Sequence, residues 1–255
     1  MDTTLPGFTT ARASQPLAAS GTQFLPVRGF ISDRLLVTYR AHASRLATLV
    51  PEPFTLDVHE GYGFISVCAV EILGMQIASS PRVLRFDNRE FLYRIGVRLG
   101  NDPTFITLRS DVSSRALAWL GRHFSHYRPQ HADVALCRAG SLLRMQCTSS
   151  GGTGDAALEA ELASNGPHDS AFASAAAATD FLLGMHFSAD AVGGRVRVQP
   201  IEHTPWKPRW AHVARARFAF LDRLAGELGT RLEYDGTLAV QAVEQVWGAA
   251  RWVNR

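Results

Sequence analysis

Apolar residues along this chain fall mostly into short runs with a period of two, broken at intervals by Gly, Pro, Ser and Asp. Period two places alternate side chains on opposite faces of a strand, so strands are predicted to outnumber helices. Arg34-Leu-Leu-Val-Thr-Tyr-Arg40, Tyr62 to Leu73, Glu90 to Leu99 and Phe105 to Arg109 are β-branched and aromatic stretches that read as strands. Ser79-Ser-Pro81 and Gly100-Asn-Asp-Pro103 break them. Leu142 to Thr148, the alternation Leu158, Ala160, Leu162, then Met185 to Ala189, Gly194 to Ile201 and Gly236 to Trp247 continue the pattern. Ser149-Ser-Gly-Gly-Thr-Gly154 lacks the lysine of a phosphate-binding loop and reads as a hairpin turn.

Helical spacing is rarer. Leu46, Leu49 and Val50 recur at it until Pro51 stops the run at the rigid corner Pro51-Glu-Pro53. Asp111-Val-Ser-Ser114 offers N-caps to a helix with Leu117, Leu120 and Phe124 on one face. An Ala-rich helix is predicted over Ala171 to Leu183. Another is predicted from about Ala214 to Leu228, closed by Gly229, with Phe220, Leu221, Leu224 and Leu228 inward. No repeat and no linker divides the chain. The expectation is one α+β domain over residues 24–255, mostly antiparallel β, after a flexible tail over residues 1–23.

Composition narrows the class. The chain has 255 residues, 46% hydrophobic and 19% charged, enough apolar mass for a real core and ordinary for a globular domain. Its formal charge of +3 comes with arginines spread among acids, so no basic stripe points to nucleic acid. No apolar run is long enough to span a membrane, and Met1 to Gln23 lacks the apolar core of a secretory signal. Three cysteines, Cys68, Cys137 and Cys147, have no metal or redox spacing and suit a reducing compartment, so the cytoplasm is expected. Among the 26 basic residues only Lys207 is a lysine.

Three ordered stretches carry a resemblance. Val37-Thr-Tyr-Arg40 leads into Leu46-Ala-Thr-Leu-Val-Pro-Glu-Pro-Phe-Thr-Leu-Asp57. Glu90-Phe-Leu-Tyr-Arg-Ile95 is followed by Asn101-Asp-Pro103 and Phe105 to Arg109. Val198-Gln-Pro-Ile-Glu-His203 is followed by Trp206. In this order the chain resembles the acetoacetate decarboxylase superfamily over roughly residues 24 to 250. The helix Ser114 to Phe124 with His126-Tyr127, and the late His203-Thr-Pro-Trp206, are similar to a related uncharacterised branch. The resemblance implies a cone-like barrel with flanking sheets, a few short helices and an interior pocket for a small carbonyl or carboxylate compound. Nucleic acid and membrane are not expected partners, and a homo-oligomer is left open.

One departure bears on chemistry. Decarboxylases of that family carry a Lys-Lys pair after Tyr-Pro, one lysine forming a Schiff base with the keto acid. The corresponding stretch here is His126-Tyr-Arg-Pro-Gln-His131, which holds no lysine. Guanidinium stays protonated and cannot form the iminium, so Arg128 is no substitute. Lys207, in Trp206-Lys-Pro, reads as a turn lysine, with a relocated nucleophile as the alternative. Acid–base chemistry is therefore expected instead, with Glu90, Tyr93 and His126 as candidate catalytic residues.

Arg28, in Pro26-Val-Arg-Gly29, resembles the arginine the family uses for the substrate carboxylate. Arg94, Arg128, Glu71 and His203 complete the substrate-binding candidates. By period two, Glu90, Leu92 and Arg94 share one face of their strand and Phe91, Tyr93 and Ile95 the other; which face meets the substrate stays open, as does a plain Glu90–Arg94 surface ion pair. His123, His126 and His131 lie close enough in sequence to suggest zinc, but a polar rim loop is the preferred reading, and neither metal nor cofactor is expected. The functional expectation is a lysine-independent enzyme of bacterial biosynthesis that enolises, dehydrates or cyclises a carbonyl compound. The alternatives are a non-catalytic binding protein of the same fold and a decarboxylase using Lys207.

Overall fold

The computed structural model describes residues 19–22, 26–77, 85–124 and 128–253. In chain order its strands are β1 (Ala19–Thr22), β2 (Val27–His42), β3 (Thr55–Leu56), β4 (Tyr62–Ile77), β5 (Phe86–Leu99), β6 (Asp102–Val112) and β7 (Gln130–Ala139). They continue with β8 (Leu142–Ser149), β9 (Ala156–Leu162), β10 (Phe187–Val192), β11 (Arg195–His203), β12 (Arg209–Phe218), β13 (Glu233–Trp247) and β14 (Arg251–Val253). The helices are α1 (Ala43–Leu46), α2 (Arg115–Phe124), α3 (Ala175–Leu182) and α4 (Ala219–Leu228).

The sheet order is β1-β14-β11-β10-β6-β7-β8-β9-β12-β13-β2-β4-β5-β3, and β5 also pairs with β6 and β11 with β13. The β5–β6 pairing closes the run from β6 through β7, β8, β9, β12, β13, β2 and β4 into a ring. The β11–β13 pairing closes a second ring through β10. Both rings share one wall, β13-β2-β4-β5-β6, whose internal pairings are all antiparallel. That wall is covered on both faces, which explains why Leu35-Leu-Val37 and Ile65 to Val70 read as unbroken apolar runs. On one face Leu35, Val37, Val67, Phe91, Tyr93 and Ile95 pack with Met145 and Leu158 and with Leu221 and Leu224 of α4. On the other, Leu36, Cys68, Val70, Leu238 and Val240 pack with Ala178 and Leu182 of α3.

Local signals read from the chain are met where they are strong. Ser114 Oγ accepts the Leu117 amide at 3.2 Å at the start of α2, and Gly229 ends α4 at φ +58, a left-handed conformation that glycine adopts without a Cβ penalty. Two expectations are corrected. Ala214 to Phe218 belong to β12, not to a helix: Arg215 and Arg217 pair with Glu159 and Ala157 of β9, whose edge needs that partner, so α4 begins at Ala219. The helix expected from Ala171 starts at Ala175, where Ser174 caps it. Ala19–Thr22, inside the segment read as a tail, pair with β14. Among the described residues no helix is long and apolar enough to cross a membrane.

Candidate active site

Register brings charge into the shared wall. Arg34 on β2 and Glu90 on β5 both pair with Val70 of β4, while Val240 flanks Arg34 and Val112 flanks Glu90. A base-sized acid and a guanidinium thus stand one strand apart in a row of three valines. The neighbouring row is Leu238, Leu36, Cys68, Leu92 and Ser110. Period two keeps all of these side chains on one face, the face of Leu36 and Val240.

Glu90, Arg34 and His203 each make one defined hydrogen bond. Ser110 Oγ donates to Glu90 Oε1 at 2.7 Å. Arg34 Nη2 donates to Gln245 Oε1 at 2.9 Å, and the guanidinium lies 5.5 Å from the centre of the Trp206 ring. Trp206 stacks on His203 at 3.7 Å, and His203 Nδ1 donates to the Thr204 carbonyl at 2.9 Å, which leaves Nε2 as the acceptor of the neutral ring. Arg34 Nε is buried and has no hydrogen-bond partner. A buried donor without a partner is costly unless something else accepts from it.

Burial among the valines pushes the Glu90 carboxyl from the ordinary 4.5 up to about 7. The Ser110 hydroxyl and Arg34 pull it down, and Asp111 pushes it up. Burial also lowers His203, with Arg34 and His186 adding to that effect against the Thr204 carbonyl. The imidazole is therefore held neutral while the carboxyl titrates near neutrality.

The sequence candidates fall into different places. Glu90 faces Arg34. Arg94 shares that face but reaches away, donating to the Leu182 carbonyl at 2.9 Å and stacking 4.8 Å over Phe105. Tyr93 lies on the other face, fully buried, with its hydroxyl unpartnered and its pKa raised by burial. Glu71 accepts from Arg89 Nε at 2.8 Å and Ser32 Oγ at 2.7 Å, an ion pair away from Glu90. Arg28 and Arg128 are exposed. His126 and the side chain of His123 lie outside the described residues, and His131 is half-buried at the start of β7. Among the described residues no three His, Cys, Asp or Glu side chains form a metal-ligand set. Lys207 is exposed in the stretch after β11.

Sequence reading missed Arg34, Ser110, Gln245 and Trp206 as site residues. A signal existed for Arg34, a charge on the same face as Leu36 in an otherwise apolar strand. Ser110 and Gln245 carry none, because ordinary polar residues become site residues only through register.

The family model for DUF2071, described as an uncharacterized conserved protein, matches residues 31–237, which run from β2 into β13. The chain belongs to the DUF2071 family. No curated protein matches it. Among solved structures, this DUF2071 protein is similar to an acetoacetate decarboxylase from Legionella pneumophila, with TM-score 0.61 and 12% identity over 99% of this chain and 93% of that one. It is similar to an acetoacetate decarboxylase-like enzyme from Sphingomonas wittichii RW1, with TM-score 0.62 and 11% identity over 89% and 93%. It is also similar to the enduracididine biosynthesis enzyme MppR with HEPES bound, with TM-score 0.60 and 13% identity over 89% and 87%. The fold is that of the acetoacetate decarboxylase superfamily, as its sequence motifs imply.

Proposed function

We propose that this DUF2071 protein is a cytoplasmic lyase- or cyclase-type enzyme that moves protons on a small carbonyl compound through Glu90, without a Schiff base. The observation that carries the reading is the Glu90 carboxyl held by Ser110 among valines and facing Arg34. A carboxyl titrating near 7 is half ionised at neutral pH, so it can both take and return a proton. In the ionised form Glu90 removes a proton from the carbon next to the carbonyl and becomes the neutral acid. The electron pair moves to the carbonyl oxygen as an enolate, and the open Nε–H of Arg34 is placed to accept that charge. Return of the proton to carbon, or loss of a leaving group, completes enolisation or dehydration. Leu36, Cys68, Val70 and Leu92 give the substrate an apolar surround that strengthens both interactions.

The missing amine supports a lysine-free route. Lys207 is exposed in the stretch after β11, whereas imine formation needs an amine enclosed beside the bound carbonyl compound. Incubation with acetoacetate or pyruvate and borohydride is therefore expected to add no mass to the protein. A borohydride-dependent adduct on Lys207 would restore the decarboxylase reading. If carbonyl compounds bind but show no proton exchange with deuterated water, the protein is a binder of such compounds and not an enzyme acting on them.

A further inference from the structure

On the opposite face of the wall, directly behind Ser110, lies a second polar group that the proposed reaction does not use. Arg109 and Asp111 flank Ser110 on β6, and their side chains meet in a two-point fork: Nε to Oδ2 at 2.6 Å and Nη2 to Oδ1 at 2.7 Å. Both are buried, Asp111 completely. Residues two apart on a strand share a face, so the fork spans the backbone of the one residue whose side chain points through to Glu90. Its anchors lie beyond β6. Arg109 reaches Gln130 Oε1 and the Thr153 hydroxyl, each at 3.4 Å, and lies 5.9 Å from the Phe220 ring. Gly154 is packed against the guanidinium so closely that a Cβ there would collide with it.

The position matters because β6 carries an irregularity just before the fork. The register against β5 shifts between Tyr93, which pairs with Arg109, and Arg94, which pairs with Thr107, so Leu108 is an extra residue. A one-residue slip at such a bulge would exchange faces, turning Arg109 or Asp111 toward Glu90 and Ser110 away. The geometry points to the Arg109–Asp111 fork as the positioning unit of the acid–base site, locking the β6 register so that the Ser110 hydroxyl stays on Glu90. This inference rests on the reading of Glu90 as proton carrier.

The charges around Glu90 are few among the described residues. β2 contributes Arg34, β5 itself contributes Arg94 on the same face, β6 contributes Asp111 from behind, and β4 contributes none on that face because Glu71 points the other way to Arg89. His203 stands beyond Trp206. Asp111 raises Glu90 while the Ser110 hydroxyl lowers it, so the two parts of the unit act with opposite sign.

The test is the titration midpoint of Glu90, followed by carbon-13 NMR of labelled glutamate and assigned by its absence in Glu90→Gln. Asp111→Asn removes the negative charge and one of the two acceptors of the fork; loss of the charge is expected to lower the midpoint by about half a unit to one unit. Gly154→Ala displaces the guanidinium without changing any charge. It is expected to raise the midpoint, as Ser110→Ala does, by about half a unit or more. A purely structural pair would change thermal stability and leave the Gly154→Ala midpoint alone. A folded Gly154→Ala protein with a wild-type midpoint overturns the proposal, and if it does not fold, Thr153→Val, which removes another anchor of the guanidinium without changing charge, decides in its place. A wild-type midpoint at the ordinary carboxylate value would instead sink the reading of Glu90 itself.

Discussion

Glu90→Gln is expected to lower turnover by about 10²-fold or more while making the protein more stable at alkaline pH. The loss follows from removing the group that carries the proton. The gain follows from linkage. The folded-state pKa of Glu90 is raised from 4.5 to about 7, so its stabilising contribution is complete below pH 4.5 and is lost as pH rises through 7. One pKa unit corresponds to about 1.4 kcal/mol, so ionising Glu90 in place costs about 3 to 4 kcal/mol by about pH 8. Glutamine keeps an oxygen for the Ser110 hydroxyl and carries no charge. Urea unfolding at about pH 4 and about pH 8 reads the difference: near-equal stability at the first, and a variant more stable by about 3 to 4 kcal/mol at the second. An equal difference at both values would mean that Glu90 does not titrate between them.

Arg34→Met is expected to lower kcat/KM by about 10² to 10³-fold. Arg34 is the residue of β2 that enters the Glu90 row, and its buried Nε–H has no hydrogen-bond partner. Methionine fills the space but offers no hydrogen, so the developing negative charge loses its partner. Truncation also leaves Gln245 Oε1 without its donor, at a stability cost of about 1 to 3 kcal/mol. Arg34→Lys restores little, because an ammonium is a hydrated point charge that cannot lie flat over Trp206. Arg28→Met gives the contrast. Arg28 is exposed at the start of β2, so activity within about twofold of wild type is expected, and a loss as large as that of Arg34→Met would move the substrate carboxylate to the strand end. Steady-state kinetics on the carbonyl compound that shows the fastest proton exchange measures all three.

What the chain disclosed and what it hid have physical reasons. β4, β5, β8 and β9 were legible because burial leaves period-two or continuous apolar runs. β7 was passed over although Ala132, Val134 and Leu136 alternate, because Ala135 and Cys137 between and after them blur the contrast, and β12 looked helical because alanine and arginine both favour a helix. Glu90 was found by its chemistry in an apolar strand. The choice between Glu90 and Tyr93 was not readable, because both faces of the shared wall are buried and alternation alone cannot say which meets which. Arg34 was passed over for Arg28 on a short local likeness. Only the cross-strand row through Val70 distinguishes them, and pairing partners so distant in sequence leave no local trace. The Arg109–Asp111 fork was invisible for the same reason: its role depends on a bulge that periodicity cannot register.

The ionisation of the Glu90 carboxyl decides the acid–base site most directly, and it requires no known substrate to observe. The carbon-13 shift of Glu90 in the wild-type protein, followed from about pH 4 to about pH 9, is expected to show a midpoint near 7. It is expected to rise further in Arg34→Met, where the nearby positive charge is gone. A wild-type midpoint near 4.5, unmoved by that substitution, would mean that Glu90 is an ordinary solvated acid and would contradict the acid–base site proposed for this fold.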